Sequence, residues 1–216
     1  MDHEFSKKER VFYLLGPAGR LEVLSAHPKA SPQPITAIIS HPQPPGGTMN
    51  NKVVTTIAKA MDLLGVKTLR FNFRGVGKSE GVYDNGVGET EDLKAVLRWV
   101  RSVCPEDRIW LAGFSFGAYV SAKVANDQSG IAQLVTIAPT LNHYDFAAFT
   151  QIACPWFIVS AGSDELVSVA SVEEFMQHPP VPAKLVVIKA ASHFFHGKLI
   201  ELRAVLVEGL SDQLPG

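Results

Sequence analysis

From Ile35 onward the chain alternates short, β-branched apolar runs with longer stretches of helical periodicity, and this alternation limits its possible folds more than any other feature. Ile35 to Ser40, Val66 to Phe73, Ile131 to Ile137, Trp156 to Ser160 and Leu185 to Ile188 read as strands. Asn51 to Leu64, Glu91 to Val103, Val169 to Gln177 and Lys198 to Leu210 read as helices. Strands separated by helices join by crossover, so the pattern predicts an α/β fold with a mostly parallel sheet and helices on both faces. In the Glu91 helix, Leu93, Val96, Leu97 and Val100 make a continuous apolar face, and Glu89, Glu91 and Asp92 lie at its positive end. Ahead of the alternation, Val11 to Leu15 and Arg20 to Ala26 flank the turn Gly16-Pro-Ala-Gly19, an antiparallel hairpin. With the run before Gly113, the count reaches about eight strands.

The 216 residues suffice for one domain spanning 1–216, with residues 1–10 as a polar tail. A net charge of −1, from 20 basic and 21 acidic residues, offers no footprint for nucleic acid or an anionic membrane. The first ten residues are too charged for a secretory signal, and no apolar run reaches the length of a membrane span. A soluble, cytoplasmic protein that takes small-molecule partners is therefore expected, as monomer or homodimer. Cys104 and Cys154 form no CxxC pair and read as buried or bystander thiols. The loop from Pro139 to Cys154, with Leu141, Tyr144, Phe146 and Phe149, has room for a short helix but is too short for a separate lid.

Within this frame, Gly113-Phe-Ser-Phe-Gly117 places a GxSxG pentapeptide between the strand-like run Arg108-Ile-Trp-Leu-Ala112 and a helix-like one. A serine on so tight a turn takes strained backbone angles, and the flanking glycines relieve crowding. Serine is a poor nucleophile at neutral pH, so Ser115 needs a histidine base and a carboxylate to orient it. In such a sheet these groups collect beyond the carboxyl ends of strands. Asp164 follows the strand from Trp156, with Glu165 as its rival. His193 follows the strand ending at Ile188, with His196 as its competitor. His3, His27, His143 and His178 read as surface or packing residues.

The order Ser115, Asp164, His193 resembles that of the α/β-hydrolase superfamily. The closest likeness is to small lidless bacterial serine hydrolases of dienelactone-hydrolase or carboxylesterase type. It is carried by the loop His41-Pro-Gln-Pro-Pro-Gly-Gly47, the segment Arg70-Phe-Asn-Phe-Arg-Gly-Val-Gly-Lys-Ser-Glu-Gly81, the elbow and the Ser-His-Phe-Phe stretch at 192–195. The resemblance implies an α/β-hydrolase fold without a lid domain, and an oxyanion hole made by the N–H of Phe116 and one from the His41 loop. By position Gln43 is the expected second donor, because Pro42, Pro44 and Pro45 have no N–H; Gly46 and Gly47 stay open.

Gly75-Val-Gly-Lys-Ser79 imitates the end of a phosphate-binding loop, but Asn72 stands where its first glycine belongs. No zinc spacing and no GxGxxG after the first strands is present, so no metal and no cofactor is expected. The expected activity is hydrolysis of a small or short-chain carboxylic ester through an acyl-enzyme on Ser115. Met49, Phe114, Phe116, Tyr144, Phe149 and Phe194 are the expected lining of an open site. Thioesterase, acyltransferase, small-peptide hydrolase and a non-catalytic binding protein are the alternatives.

Overall fold

The computed structural model describes residues 5, 9–44 and 46–215. His3, Pro45 and most of the polar tail lie outside the described residues. Strands β1 (Arg10–Gly16), β2 (Gly19–Ala26), β3 (Ile35–Ser40), β4 (Lys67–Phe71), β5 (Arg108–Phe114), β6 (Ile131–Ile137), β7 (Trp156–Ala161) and β8 (Ala183–Ile188) form one sheet in the order β1-β2-β4-β3-β5-β6-β7-β8. The hairpin β1-β2 is antiparallel and β2 pairs antiparallel with β4. From β4 to β8 every pairing is parallel.

Helices α1 (Lys52–Leu63) and α5 (Leu199–Leu210) cover one face, α2 (Val87–Val103) and α3 (Phe116–Asp127) the other, and α4 (Val169–Gln177) precedes β8. Covered on both sides, β3 is buried at all six positions, the expected state of a central parallel strand. Its residues alternate between the two cores, with Ile38 towards α2 and α3 and Ile39 towards α1 and α5.

Three segments differ from the sequence expectation. Helix α2 starts at Val87 rather than Glu91, because Gly86 takes φ 93° and the Glu89 carboxylate accepts the N–H groups of Asp84 and Gly86. Asp92, expected as a helix-end charge, is fully buried and holds the Arg74 guanidinium at 2.8 Å. The loop 139–154 forms turns and no helix, since Phe146, Phe149 and Ile152 each drop into the core rather than sharing one helical face. Strand β4 stops at Phe71 because the Phe73 N–H leaves the ladder to donate to His41 Nε2 at 3.0 Å.

Candidate active site

Ser115 sits between β5 and α3 at φ 55° and ψ −118°, a conformation that costs a non-glycine residue about 1–3 kcal/mol. Two bonds hold it there: its N–H donates to the Ile137 carbonyl at 2.9 Å, and its own carbonyl accepts the Ala118 N–H at 2.9 Å. The flanking glycines are sterically required. A Cβ on Gly113 would lie 2.1 Å from the Gly117 carbonyl oxygen, and one on Gly117 would lie 2.5 Å from that of Ser40. This close approach sets the start of α3 against the end of β3, so the loop after β3 reaches the serine.

The two other groups arrive on adjacent strand ends. The Gly162 N–H donates to Ile188 and the Ser163 N–H to Ala191, each at 2.8 Å, lacing the loop after β7 to the loop after β8. His193 Nε2 lies 3.0 Å from Ser115 Oγ, and His193 Nδ1 lies 2.8 Å from Asp164 Oδ2. Both the histidine and aspartate side chains are 1% exposed. Asp164 Oδ1 accepts the N–H groups of Leu166 and Val167 at 2.8 and 2.9 Å. Burial pushes the Asp164 carboxyl upward, but the His193 bond and the two N–H donors outweigh it and hold the group below the usual carboxylate range.

Glu165 points elsewhere: its Oε2 accepts the main-chain N–H of His193 at 2.9 Å. His196 is exposed, with its ring against Phe194 and not at Ser115. Phe116 is the first residue of α3, where helical geometry leaves its N–H without an intrahelical acceptor. Gln43 faces the same space, and its side chain donates to the Tyr83 hydroxyl at 2.8 Å. The Gly47 N–H is already committed to the Gln43 carbonyl at 3.2 Å.

A cavity of about 260 Å³ adjoins Ser115, lined by Gln43, Phe116, Thr140, His143 and Tyr144. Of the expected lining, Phe116 and Tyr144 belong to it. Met49, Phe114 and Phe149 do not: they are 3%, 0% and 6% exposed, Phe149 and Phe114 taken up by the cores on the two faces of the sheet and Met49 buried in a loop whose main chain bonds to Asn72 and Arg70. Phe114 packs behind the His193 ring at 5.2 Å, and Phe194, half-exposed, stands edge-on to that ring at 5.2 Å, beside the histidine rather than in the cavity. His143, expected as a surface or packing residue, is exposed and also lines the cavity. The wall is thus more polar than the sequence suggests.

His41 was also hidden. It is fully buried, with Nδ1 2.6 Å from the Pro42 carbonyl and Nε2 accepting the Phe73 N–H, which pins the first residue of the Gln43 loop. Its signal was available, since it directly follows β3 at the carboxyl edge, where Asp164 and His193 also emerge. Tyr83 had no signal, lying in an aperiodic loop. Among the described residues no group of three or more His, Cys, Asp or Glu could hold a metal ion, and no helix is long and apolar enough to cross a membrane.

Residues 27–158 match the family model described as X-Pro dipeptidyl-peptidase (S15 family). The chain belongs to the S15 family of α/β hydrolases. Two solved structures superpose on nearly its whole length. A serine hydrolase homologue from Coxiella burnetii is 57% identical, with 96% of this chain and 100% of that one covered at a TM-score of 0.92. XC6422 from Xanthomonas campestris, an α/β serine hydrolase without a lid, is 41% identical over 99% of this chain and 98% of that one, with a TM-score of 0.93. The uncharacterised protein RP471 of Rickettsia prowazekii is 36% identical over 199 residues, 88% of this chain and 83% of its own length. This S15 chain is accordingly an α/β serine hydrolase of the lidless kind.

Proposed function

We propose that this hydrolase cleaves small or short-chain carboxylic esters, with Ser115 as nucleophile, His193 as general base and then acid, and Asp164 orienting the imidazole. The observation that carries the reading is the unbroken chain from Ser115 Oγ through His193 to Asp164, at 3.0 and 2.8 Å, opening on a cavity of about 260 Å³. Ser115 Oγ attacks the acyl carbon while Nε2 takes its proton. The imidazolium formed is stabilised by Asp164, which stays ionised at neutral pH. The oxyanion lies between the N–H groups of Phe116 and Gln43, each such donor being worth about 3 kcal/mol in the transition state. Collapse expels the alcohol, protonated by Nε2, and water then releases the acid by the same route in reverse. No metal and no cofactor takes part in this scheme. The cavity volume supports a small acyl group, since it falls below the range of about 300–1,000 Å³ typical of drug-sized ligands.

The test is labelling by a fluorophosphonate probe together with turnover of p-nitrophenyl acetate, each repeated on Ser115→Ala. Both should vanish in the variant, with kcat down on the order of a millionfold. A wild-type protein that neither labels nor turns over sinks the reading.

Peptidase chemistry is the second reading, favoured by the family description. A dipeptidyl-peptidase must bind a cationic amino terminus, and the lining of the Ser115 cavity contains no carboxylate; Asp145 and Glu174 line a separate neighbouring cavity. Alanyl-prolyl p-nitroanilide tested beside p-nitrophenyl acetate separates the two: faster cleavage of the anilide, at equal concentration, selects the peptidase.

A further inference from the structure

Two cavities meet at one side chain. The space beside Ser115 measures about 260 Å³, and a second of about 330 Å³ has a mixed lining, apolar at Leu141, Phe146 and Phe175 and acidic at Asp145 and Glu174. Tyr144 belongs to both linings. Its ring is fixed from several directions. It stacks on Tyr119 with centroids 4.2 Å apart and planes 19° apart, and lies 5.9 Å from the Phe116 ring. Burial, together with a hydrogen bond to Tyr83, pushes its phenol pKa up. Tyr83 in turn accepts the Gln43 amide at 2.8 Å, so the partition is braced against the loop that faces the nucleophile.

The side of the scissile bond that enters here follows from the mechanism. The leaving alcohol must lie beside His193, which protonates it. His193 is not among the residues lining the cavity, whereas Phe116 and Gln43, the oxyanion donors, are. The cavity therefore takes the acyl half. Resting on Ser115 as nucleophile, we propose that Tyr144 is the specificity-determining residue of this enzyme: its ring walls off the second cavity and limits the acyl group to short chains. The space behind it offers an apolar side in Leu141, Phe146, Ala147 and Phe175 and a polar side in Asn142, Asp145, Ser171, Glu174 and His178, so removing the ring should admit a medium-length alkyl chain along the apolar side. Each additional methylene that becomes buried there should raise kcat/KM roughly fourfold.

The experiment compares kcat/KM for p-nitrophenyl acetate, butyrate, hexanoate and octanoate in wild type, Tyr144→Phe, Tyr144→Ala and Tyr144→Trp. Inactivation rates with ethyl and octyl phosphonofluoridates are measured in parallel, because these read acylation-like attack at Ser115 without hydrolytic turnover. Wild type should fall off beyond butyrate. Tyr144→Ala should raise the octanoate-to-acetate ratio by at least tenfold and the octyl-to-ethyl inactivation ratio with it. Tyr144→Phe should keep the wild-type profile whatever its absolute rate, and Tyr144→Trp should depress butyrate relative to acetate. Parallel profiles in wild type and Tyr144→Ala overturn the proposal. So does a shift in Tyr144→Phe equal to that in Tyr144→Ala, which would assign the effect to the Tyr83 bond. If Tyr144→Ala fails to fold, Tyr144→Trp decides alone, an unchanged butyrate-to-acetate ratio counting against the wall. Wild type that is not labelled by either phosphonofluoridate refutes Ser115 as nucleophile and this proposal with it; labelling with unchanged chain-length ratios refutes only the role of Tyr144.

Discussion

Glu165 Oε2 accepts the main-chain N–H of His193 at 2.9 Å, while the neighbouring Asp164 grips the ring of the same histidine at 2.8 Å. Two consecutive acids thus hold one residue by backbone and by side chain.

These grips should separate in kinetics. Asp164→Asn removes the charge that fixes the tautomer and stabilises the imidazolium, and is expected to lower kcat for p-nitrophenyl acetate by about 10⁴. Glu165→Gln keeps an acceptor for the His193 N–H and should stay within about tenfold of wild type, since a neutral bond of this kind is worth only about 1 kcal/mol. A larger loss in Glu165→Gln than in Asp164→Asn would reverse the two assignments.

His41 predicts a pH dependence of stability. Burial holds its imidazole down at about 4 from the usual 6.5, against a bond to the Pro42 carbonyl that favours the charged ring. Between those values the unfolded chain binds a proton that the folded one refuses, so stability falls as pH falls from 6.5 towards 4, by about 3 kcal/mol in all. Urea denaturation across this window should show the slope in wild type and lose it in His41→Gln. Asp164 acts lower down: its depressed pKa adds stability above the usual carboxylate value that is lost as pH drops below it.

The pair of part-buried Arg74 and fully buried Asp92 braces the loop between β4 and α2. Asp92 is fully buried and meets Arg74 at both carboxylate oxygens, and the guanidinium passes so close over Gly88 that a Cβ there would lie 2.0 Å from Nη1. Asp92→Ala removes a charge-assisted bond from the part-buried Arg74 guanidinium and should cost about 1.5–3 kcal/mol of unfolding free energy in urea. A change under about 1 kcal/mol would show that water reaches the arginine.

The oxyanion assignment rests on a backbone N–H, which gives it a distinctive signature. Gln43→Ala keeps that N–H and should lose less than about tenfold in kcat, whereas Gln43→Pro removes it and should lose about 10²–10³ with KM little changed. Equal effects of the two variants would move the donor to another residue of the loop.

Much of this was legible because it is periodic or ordered along the chain. The strands from β3 to β8 announce themselves by β-branched apolar runs, and Ser115, Asp164 and His193 each follow such a run. Helix α2 was read four residues short because its start is set by Gly86 and Glu89, a cap built on carboxylate bonds to loop N–H groups rather than on apolar spacing. Met49, Phe114 and Phe149 were expected at the cavity because they neighbour site segments in sequence. An apolar side chain next to a site residue can face either the cavity or the interior; the cores claim Phe114 and Phe149, and Met49 is buried away from the cavity.

By itself the sequence determined the layered α/β architecture, the strained serine turn and the three polar groups placed to meet at one sheet edge. These follow from local patterns, since side-chain period and glycine placement act on near neighbours. Only the tertiary structure decided which acid takes the histidine ring, that His41 anchors the Gln43 loop, and that Tyr144 stands between two cavities. Those outcomes depend on loops 40 to 47, 83, 115 and 140 to 144 converging from distant parts of the chain, and nothing periodic in them encodes the approach.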